Sequence, residues 1–201
     1  MARNSRGKTT EEAFKRAART VIERQGFLRT TISDIAVEAR RSSASFYNYF
    51  DTKEALLAHL ADEFRDEVVQ RHKSRYRREN EPRVAIEEMV RAYWTTYKDR
   101  LPELVGVFQV AMVDETFAER WREIRQFGID QTAIVIRRAQ KAGYSPGVDP
   151  RLAASALSSM LENFCYVWLA AGGDTTASAV DDEHAIATLA GLWYHAIYWT
   201  A

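Results

Sequence analysis

Apolar residues recur at three- and four-residue intervals along nearly the whole chain, and no run of strict alternation lies between hairpin turns. This pattern predicts an all-α protein of about nine helices. The first is expected over residues 10–25, with Thr9 and Glu12 in capping-box spacing, a buried stripe of Phe14, Ala17, Ala18, Val21 and Ile22, and Gly26 to end it. A short second helix from Ile32 to Ala39 opens on Thr31 with Asp34 three positions later. Arg40 and Arg41 form a turn, Ser42 or Ser43 caps a third helix through Tyr49, and Asp51 with Glu54 opens a long fourth one. The fourth carries Leu56, Leu57, Leu60, Phe64 and Val68 and frays in the polar stretch 77–81. Pro82 starts a fifth through Asp99, and Pro102 restarts the chain into a sixth bearing Leu104, Val107, Phe108 and Met112. Three longer helices follow, over 116–142, 150–171 and 181–200.

Helices two and three are too short to stand alone. They hold only if the first and fourth helices bury them, and Ile32, Ile35, Ala36, Phe46 and Phe50 supply the apolar side for that. What is left facing outward on the third helix is Ser42, Ser43, Ala44, Ser45, Tyr47 and Asn48. Two short helices joined by a tight turn have the size of a helix-turn-helix, and small hydrogen-bonding residues let a helix approach base edges in the major groove.

The stretch from Thr30 to Ala39, then Ser42-Ser43-Ala44-Ser45-Phe46-Tyr47-Asn48-Tyr49-Phe50, then Lys53-Glu54-Ala55-Leu56-Leu57, resembles the DNA-binding domain of the tetracycline-repressor (TetR) family of bacterial regulators. Two positions depart from that pattern: Arg40 stands where the turn commonly has Gly, and Asn48 where a His is common. The resemblance implies that Ser43, Ala44 and Ser45 approach base edges, that Tyr47 and Asn48 lie on the backbone, and that Thr31 and Lys53 clamp phosphates. Ser42 and Arg40 complete the expected set. Arg3, Arg6 and Lys8 are expected to form a flexible basic arm. The domains implied are a helix-turn-helix domain over 1–53 and a helical effector-binding and dimerisation domain over 54–201.

The C-terminal helices of that family enclose an effector pocket. Here Trp94, Tyr97, Phe108, Met112, Trp121, Met160, Asn163, Phe164 and Trp168 are the candidate lining of an apolar cavity with a few polar groups. The last two helices are apolar on more than one face. Leu157, Leu161, Leu189, Trp193 and Ile197 are assigned to a homodimer interface, because a two-fold dimer doubles the base pairs that one short recognition helix reads.

Taken over the whole chain, charge opposes this reading, since 28 basic and 28 acidic residues balance to zero. The balance is regional: eleven basic residues face six acidic ones through Lys53, whereas one basic residue faces five acidic ones from Arg151 onward. A basic head with an acidic remainder suits a local nucleic-acid footprint. Competing chemistry lacks its motifs. None of His59, His72, His184 and His195 stands in a Glu-x-x-His or His-x-x-x-His spacing, no Gly-rich phosphate loop or nucleophile elbow is present, and the single Cys165 lies among apolar residues. No catalytic residue, metal or cofactor is expected. An all-α enzyme and a helical protein-protein adaptor without DNA binding remain the alternatives, but the first lacks its motifs and the second leaves the serine-rich helix unexplained. With one cysteine, no signal-peptide core and no clean apolar span, the expected location is cytoplasmic. The expected partners are an operator duplex, a small effector and a second copy of the chain.

Overall fold

The computed structural model describes residues 2–75, 81–174 and 180–200. Among them are eight α-helices and no strand: α1 (Ala2–Gln25), α2 (Ile32–Glu38), α3 (Ser43–Phe46), α4 (Lys53–Arg75), α5 (Pro82–Ala111), α6 (Glu115–Lys141), α7 (Pro150–Cys165) and α8 (Asp182–Ile197). A π-helical turn, Tyr166–Ala170, continues α7. The polar stretch 77–80 and the side chains of Arg3, Arg6 and Val68 lie outside the described residues.

The all-α expectation holds, and three boundaries are corrected. Pro102 does not restart the chain; it sits inside α5, which makes one helix of two expected ones. Proline there forgoes the bond to the Lys98 carbonyl and crowds that carbonyl with its ring, but Trp94 and Tyr97 before it and Leu104 and Val107 after it are all buried, so packing overrides the break. The second correction is at the N-terminus. The helix already begins at Ala2, so Thr9 is not its cap and Lys8 rides on helical backbone, not on a flexible arm. The capping signals of the short helices are realised. Thr31 and Asp34 form the reciprocal capping box of α2, and Ser42 accepts from the Ser45 N–H to cap α3. α3 is shorter than expected, because Asn48 and Tyr49 donate three residues back, to Ser45 and Phe46, and tighten the chain after Phe46.

The chain divides into two compact units, Met1–Phe64 with Pro102–Trp121, and Arg65–Leu101 with Arg122–Ala201. The first is larger than the expected 1–53 segment, because the short helices need more cover than α1 supplies. Phe14 meets Phe46 edge-on at 5.4 Å, Phe46 meets Phe50 at 5.6 Å, and Leu56, Leu57 and Leu60 of α4 are fully buried. The Pro102–Trp121 segment joins them at Gly106, where a Cβ would lie 2.9 Å from that of Phe27, so only glycine admits this approach. Buried charges tie the same unit together. Lys15, 5% exposed, binds Glu63 at 2.8 Å with Glu11 and Glu12 beside it, and Arg19 bridges Glu63 at 2.7 Å and Glu103 at 2.6 Å.

In the second unit α7 and α8 bury one face each. Ala154, Leu157, Leu161 and Cys165 of α7 and Ala185, Ile186, Leu189, Trp193 and Ile197 of α8 lie in its core. Asp149 caps α7 with Pro150 in its first turn, and Asp181 caps α8. Ser145, held at a positive φ of 47°, donates its N–H to the Trp199 carbonyl and its hydroxyl to that of Ile197, which fastens the loop after α6 to the end of α8.

Candidate nucleic-acid interface and ligand-binding unit

The aromatic run of the third helix sorts itself by the helical period. Phe46 and Phe50 turn inward, at 0% and 4% exposure, and Tyr49 tilts against Phe14 at 6.0 Å. Tyr47 points outward, 56% exposed, with its ring edge-on to Phe46 at 5.9 Å. Ala44 and Asn48 are exposed beside it, and Ser43 and Ser45 are half-buried. Among the described residues, none of the side chains of Ser43, Ser45, Tyr47 and Asn48 has a hydrogen-bond partner within the protein. Ser42 spends only its lone pair on the Ser45 N–H and keeps its own proton to donate. The short helix and its flanking residues thus present three hydroxyls, a phenol and an amide over an aromatic base.

The two expected phosphate clamps are engaged within the protein. Lys53 Nζ donates to the carbonyls of Phe27, Leu28 and Thr30 at 3.2, 3.2 and 2.8 Å and lies 4.7 Å over the Phe27 ring. An ammonium has three protons, and all three are taken. Thr31 is spent likewise. Its hydroxyl donates to Asp34 Oδ2 at 2.7 Å while accepting from the Asp34 N–H, and these bonds hold the Asp34 carboxyl below its ordinary range. A second negative group there would meet an ionised carboxylate. Both residues shape the approach to the helix-turn-helix from within.

The candidate effector residues are divided between the two units. Phe108, Met112 and Trp121 belong to the first unit, where Phe108 and Trp121 meet at 5.8 Å and Met112 is 67% exposed. The other six belong to the second unit. Trp94 is buried, donates its indole N–H to Asp182 at 3.0 Å, and continues through Phe164 at 6.0 Å to Trp168 at 5.9 Å. Trp168 is itself covered by Gly173, where a Cβ would come within 2.8 Å of the ring. Tyr97 stacks on Tyr93 at 5.7 Å, Met160 is half-buried, and Asn163 faces outward.

Beside this aromatic layer stands a polar centre that the sequence did not single out. Arg125 Nε lies 2.9 and 2.8 Å from the two carboxylate oxygens of Glu162, its guanidinium also donates to Ser159 at 2.7 Å, and the Tyr93 hydroxyl donates to Glu162 at 3.4 Å. Burial pushes the Glu162 carboxyl above its ordinary range, and Arg125 only partly opposes it. The same burial raises the Tyr93 and Tyr97 phenols and takes the Cys165 thiol up to about 12, so Cys165 is an inert core thiol. Glu162 was visible as a charge interrupting an apolar helix. Nothing in the sequence distinguished Arg125 from the other arginines.

The dimer assignment is also corrected. Leu157, Leu161, Leu189, Trp193 and Ile197 are each 9% exposed or less within one protomer, so they are its core and have no surface to give a partner. The outward stripes of the same helices carry Leu152, Ala156 and Tyr166 on the α7 side and Thr188, Leu192 and Trp199 on the α8 side. Leu152 is 72% and Leu192 54% exposed. No helix among the described residues is long and apolar enough to cross a membrane, and none of their His, Cys, Asp and Glu side chains group as a metal site.

An outward polar helix on an aromatic base, preceded by a capped short helix and a tight turn, defines a helix-turn-helix DNA-binding protein. Residues 16–60 match the family of bacterial regulatory proteins, tetR family, and residues 86–199 match the C-terminal domain of the transcriptional regulator EthR. The chain belongs to this family: it is a DNA-binding transcriptional regulator with a helical ligand-binding domain. It is 27% identical over 200 residues to the HTH-type transcriptional regulator EthR of Mycolicibacterium smegmatis, covering 96% of this chain and 88% of that one. Solved structures share the fold. A bacterial regulatory protein in the tetR family from Rhodococcus RHA1 superposes with a TM-score of 0.76 at 20% identity, over 96% of this chain and 98% of that one. AibR in complex with isovaleryl coenzyme A and operator DNA does so with a TM-score of 0.70 at 18% identity, over 91% and 97%.

Proposed function

We propose that the chain is a repressor whose two α3 helices enter successive major grooves of a palindromic operator. The observation that carries this reading is the unpartnered outward face of α3. Ser43, Ala44 and Ser45 meet base edges, and Tyr47, Asn48 and Ser42 meet the sugar-phosphate backbone. The two copies pair through the outward stripes of α7 and α8, where Leu152, Leu192 and Trp199 leave apolar surface uncovered. Half-sites about 34 Å apart then face the two recognition helices.

The effector is a small, largely apolar molecule with a hydrogen-bonding group, received by the second unit at the Trp94–Phe164–Trp168 layer, with Arg125, Glu162 and Tyr93 to orient it. The helices α4, α5 and α6 each contribute residues to both units, which gives a displacement in one a covalent route to the other. Repression is relieved when the effector prefers the conformer that cannot dock, by about 1.4 kcal/mol for each tenfold loss of operator affinity. The reading excludes catalysis by this chain and places it in the cytoplasm with its DNA. Selection of duplexes from a random library, followed by sizing of the complex, tests it directly. A palindromic consensus bound by two protomers is expected, and failure to enrich any sequence would contradict the proposal.

A further inference from the structure

Arg40 is the residue at which the helix-turn-helix opposes its own backbone. Its φ of 54° lies in the left-handed region, which favours glycine and tolerates asparagine. The turn demands that conformation. The Arg40 N–H donates to the Val37 carbonyl at 3.0 Å and the Arg41 N–H to the Ala36 carbonyl at 2.9 Å, the pair of nested bonds that ends a helix on a left-handed residue. Glycine would satisfy both bonds with less strain.

The arginine gives nothing back to the fold. Its side chain is exposed and, among the described residues, makes no hydrogen bond, ion pair or ring contact. Glu38, two residues earlier, is paired instead with Arg24 at 3.4 Å. Arg41 is folded back, with Nη1 3.0 Å from the Arg40 carbonyl. A strained position therefore holds a free, permanent positive charge two residues before the cap of the helix that presents the reading face. Lys53, the cation expected on the far side of that helix, is engaged with the Phe27, Leu28 and Thr30 carbonyls.

We propose that Arg40 is a phosphate-binding residue of the DNA interface, held against the turn's preference for glycine because its charge stands at the lip of the groove that α3 enters. The inference rests on the reading of α3 as the recognition helix. A turn residue ahead of that helix stands at the level of the sugar-phosphate backbone, while the first residues of the helix reach the base edges. Arg40 therefore strengthens binding without selecting sequence. Stability and DNA affinity are set against each other at this one position.

Three variants of the full dimeric chain test the two effects through separate readouts, the Tm for strain and the salt-dependent affinity for charge: Arg40→Gly and Arg40→Asn relieve the strain and remove the charge, and Arg40→Lys keeps both. Each is titrated by fluorescence anisotropy against a duplex selected by the wild-type protein and against a scrambled duplex, between 50 and 200 mM salt. Glycine and asparagine are expected to raise the Tm by about 2–4 °C. They should also weaken both duplexes by one common factor, about tenfold, and flatten the dependence of log K on log salt by about 0.9 per protomer. Lysine should retain the wild-type Tm and most of the slope. Wild-type affinity and slope in the glycine and asparagine variants overturn the proposal, as does a loss confined to the selected duplex, which would make Arg40 a base reader. A lower Tm in both variants overturns the strain half of it. If the wild-type protein binds neither duplex, the reading of α3 fails and this inference with it; if the wild type binds and only the Arg40 expectations fail, this inference fails alone.

Discussion

The Lys53 ammonium donates to the Thr30 carbonyl oxygen at 2.8 Å, and this bond joins the first residue of α4 to the segment that leads into α2. With the Phe27 and Leu28 carbonyls taking the remaining protons, Lys53 closes the α1–α2 connection from the inside. Lys53→Met retains most of the stem and removes the three donors. A hydrogen bond to a charged group contributes about 1.5–3 kcal/mol net of exchange with water, and the half-buried Lys53 keeps to the low end of that range, so a destabilisation of about 2 kcal/mol is expected in urea unfolding. Below the unfolding range, the salt dependence of DNA binding should stay at the wild-type slope. A slope reduced by about 0.9 with unchanged stability would restore Lys53 to the phosphate contacts.

The outward face of α3 separates into two kinds of residue by reach. Tyr47 and Asn48, long and exposed, are expected on the backbone, so Tyr47→Phe and Asn48→Ala should weaken selected and scrambled duplexes together while leaving the Tm within a degree or two. Ser43→Ala and Ser45→Ala should behave otherwise, shifting the preference among single-base operator variants by about 1–3 kcal/mol at one position each. Titration of every variant against the same set of duplexes decides between the roles. A uniform loss from the serine substitutions would move those residues to the backbone.

One α-helix turn separates an interior leucine from an outward one in α8. Leu189 is fully buried and Leu192 is 54% exposed. Leu189→Ala should therefore cost about 2–5 kcal/mol of stability and leave the oligomeric state alone. Leu192→Asp should leave the protomer folded and yield monomers on sizing, with operator affinity lost because a single reading helix remains. A dimer that survives Leu192→Asp at micromolar concentration would place the interface elsewhere.

These outcomes also show where the sequence was readable. The helices and the two short-helix caps were legible because capping boxes and the 3.6-residue period are local, and Thr31–Asp34 and Ser42–Ser45 both appear as expected. The split of Phe46 and Phe50 from Tyr47 followed from the same period. What the sequence could not show was how donors are spent across distance. Lys53 reaches carbonyls 23 to 26 residues away, and Arg125 meets Glu162 across 37 residues. The dimer residues failed for a related reason. Two apolar stripes on one helix are equivalent until a fold chooses which of them faces inward, and α7 and α8 turned the leucine stripes to the core. Pro102 stays inside α5 because buried side chains on both sides of it outweigh its helix-breaking tendency, and their burial is a property of the fold, not of the local sequence.

The Arg125–Glu162 pair offers a test of the second unit that needs no DNA. Arg125 is 19% and Glu162 12% exposed, and burial holds the Glu162 carboxyl above its ordinary value of 4.5 even with the guanidinium in place. Arg125→Met removes the opposing charge, so the folded-state pKa rises further while the unfolded one stays ordinary. An acid whose pKa is raised by folding binds more protons in the native state, and stability then falls as pH rises from the unfolded value through the folded one. Arg125→Met should therefore be close to wild type near pH 4.5 and lose about 3–5 kcal/mol above the raised pKa, measured by urea unfolding between pH 4.5 and 8. Adding Glu162→Gln to the same chain removes the charge that has lost its partner. It should recover most of the loss at pH 8 and flatten the pH dependence. A loss from Arg125→Met that is equal at every pH would mean that the arginine acts through its packing, and that Glu162 is solvated well enough to bear its charge alone.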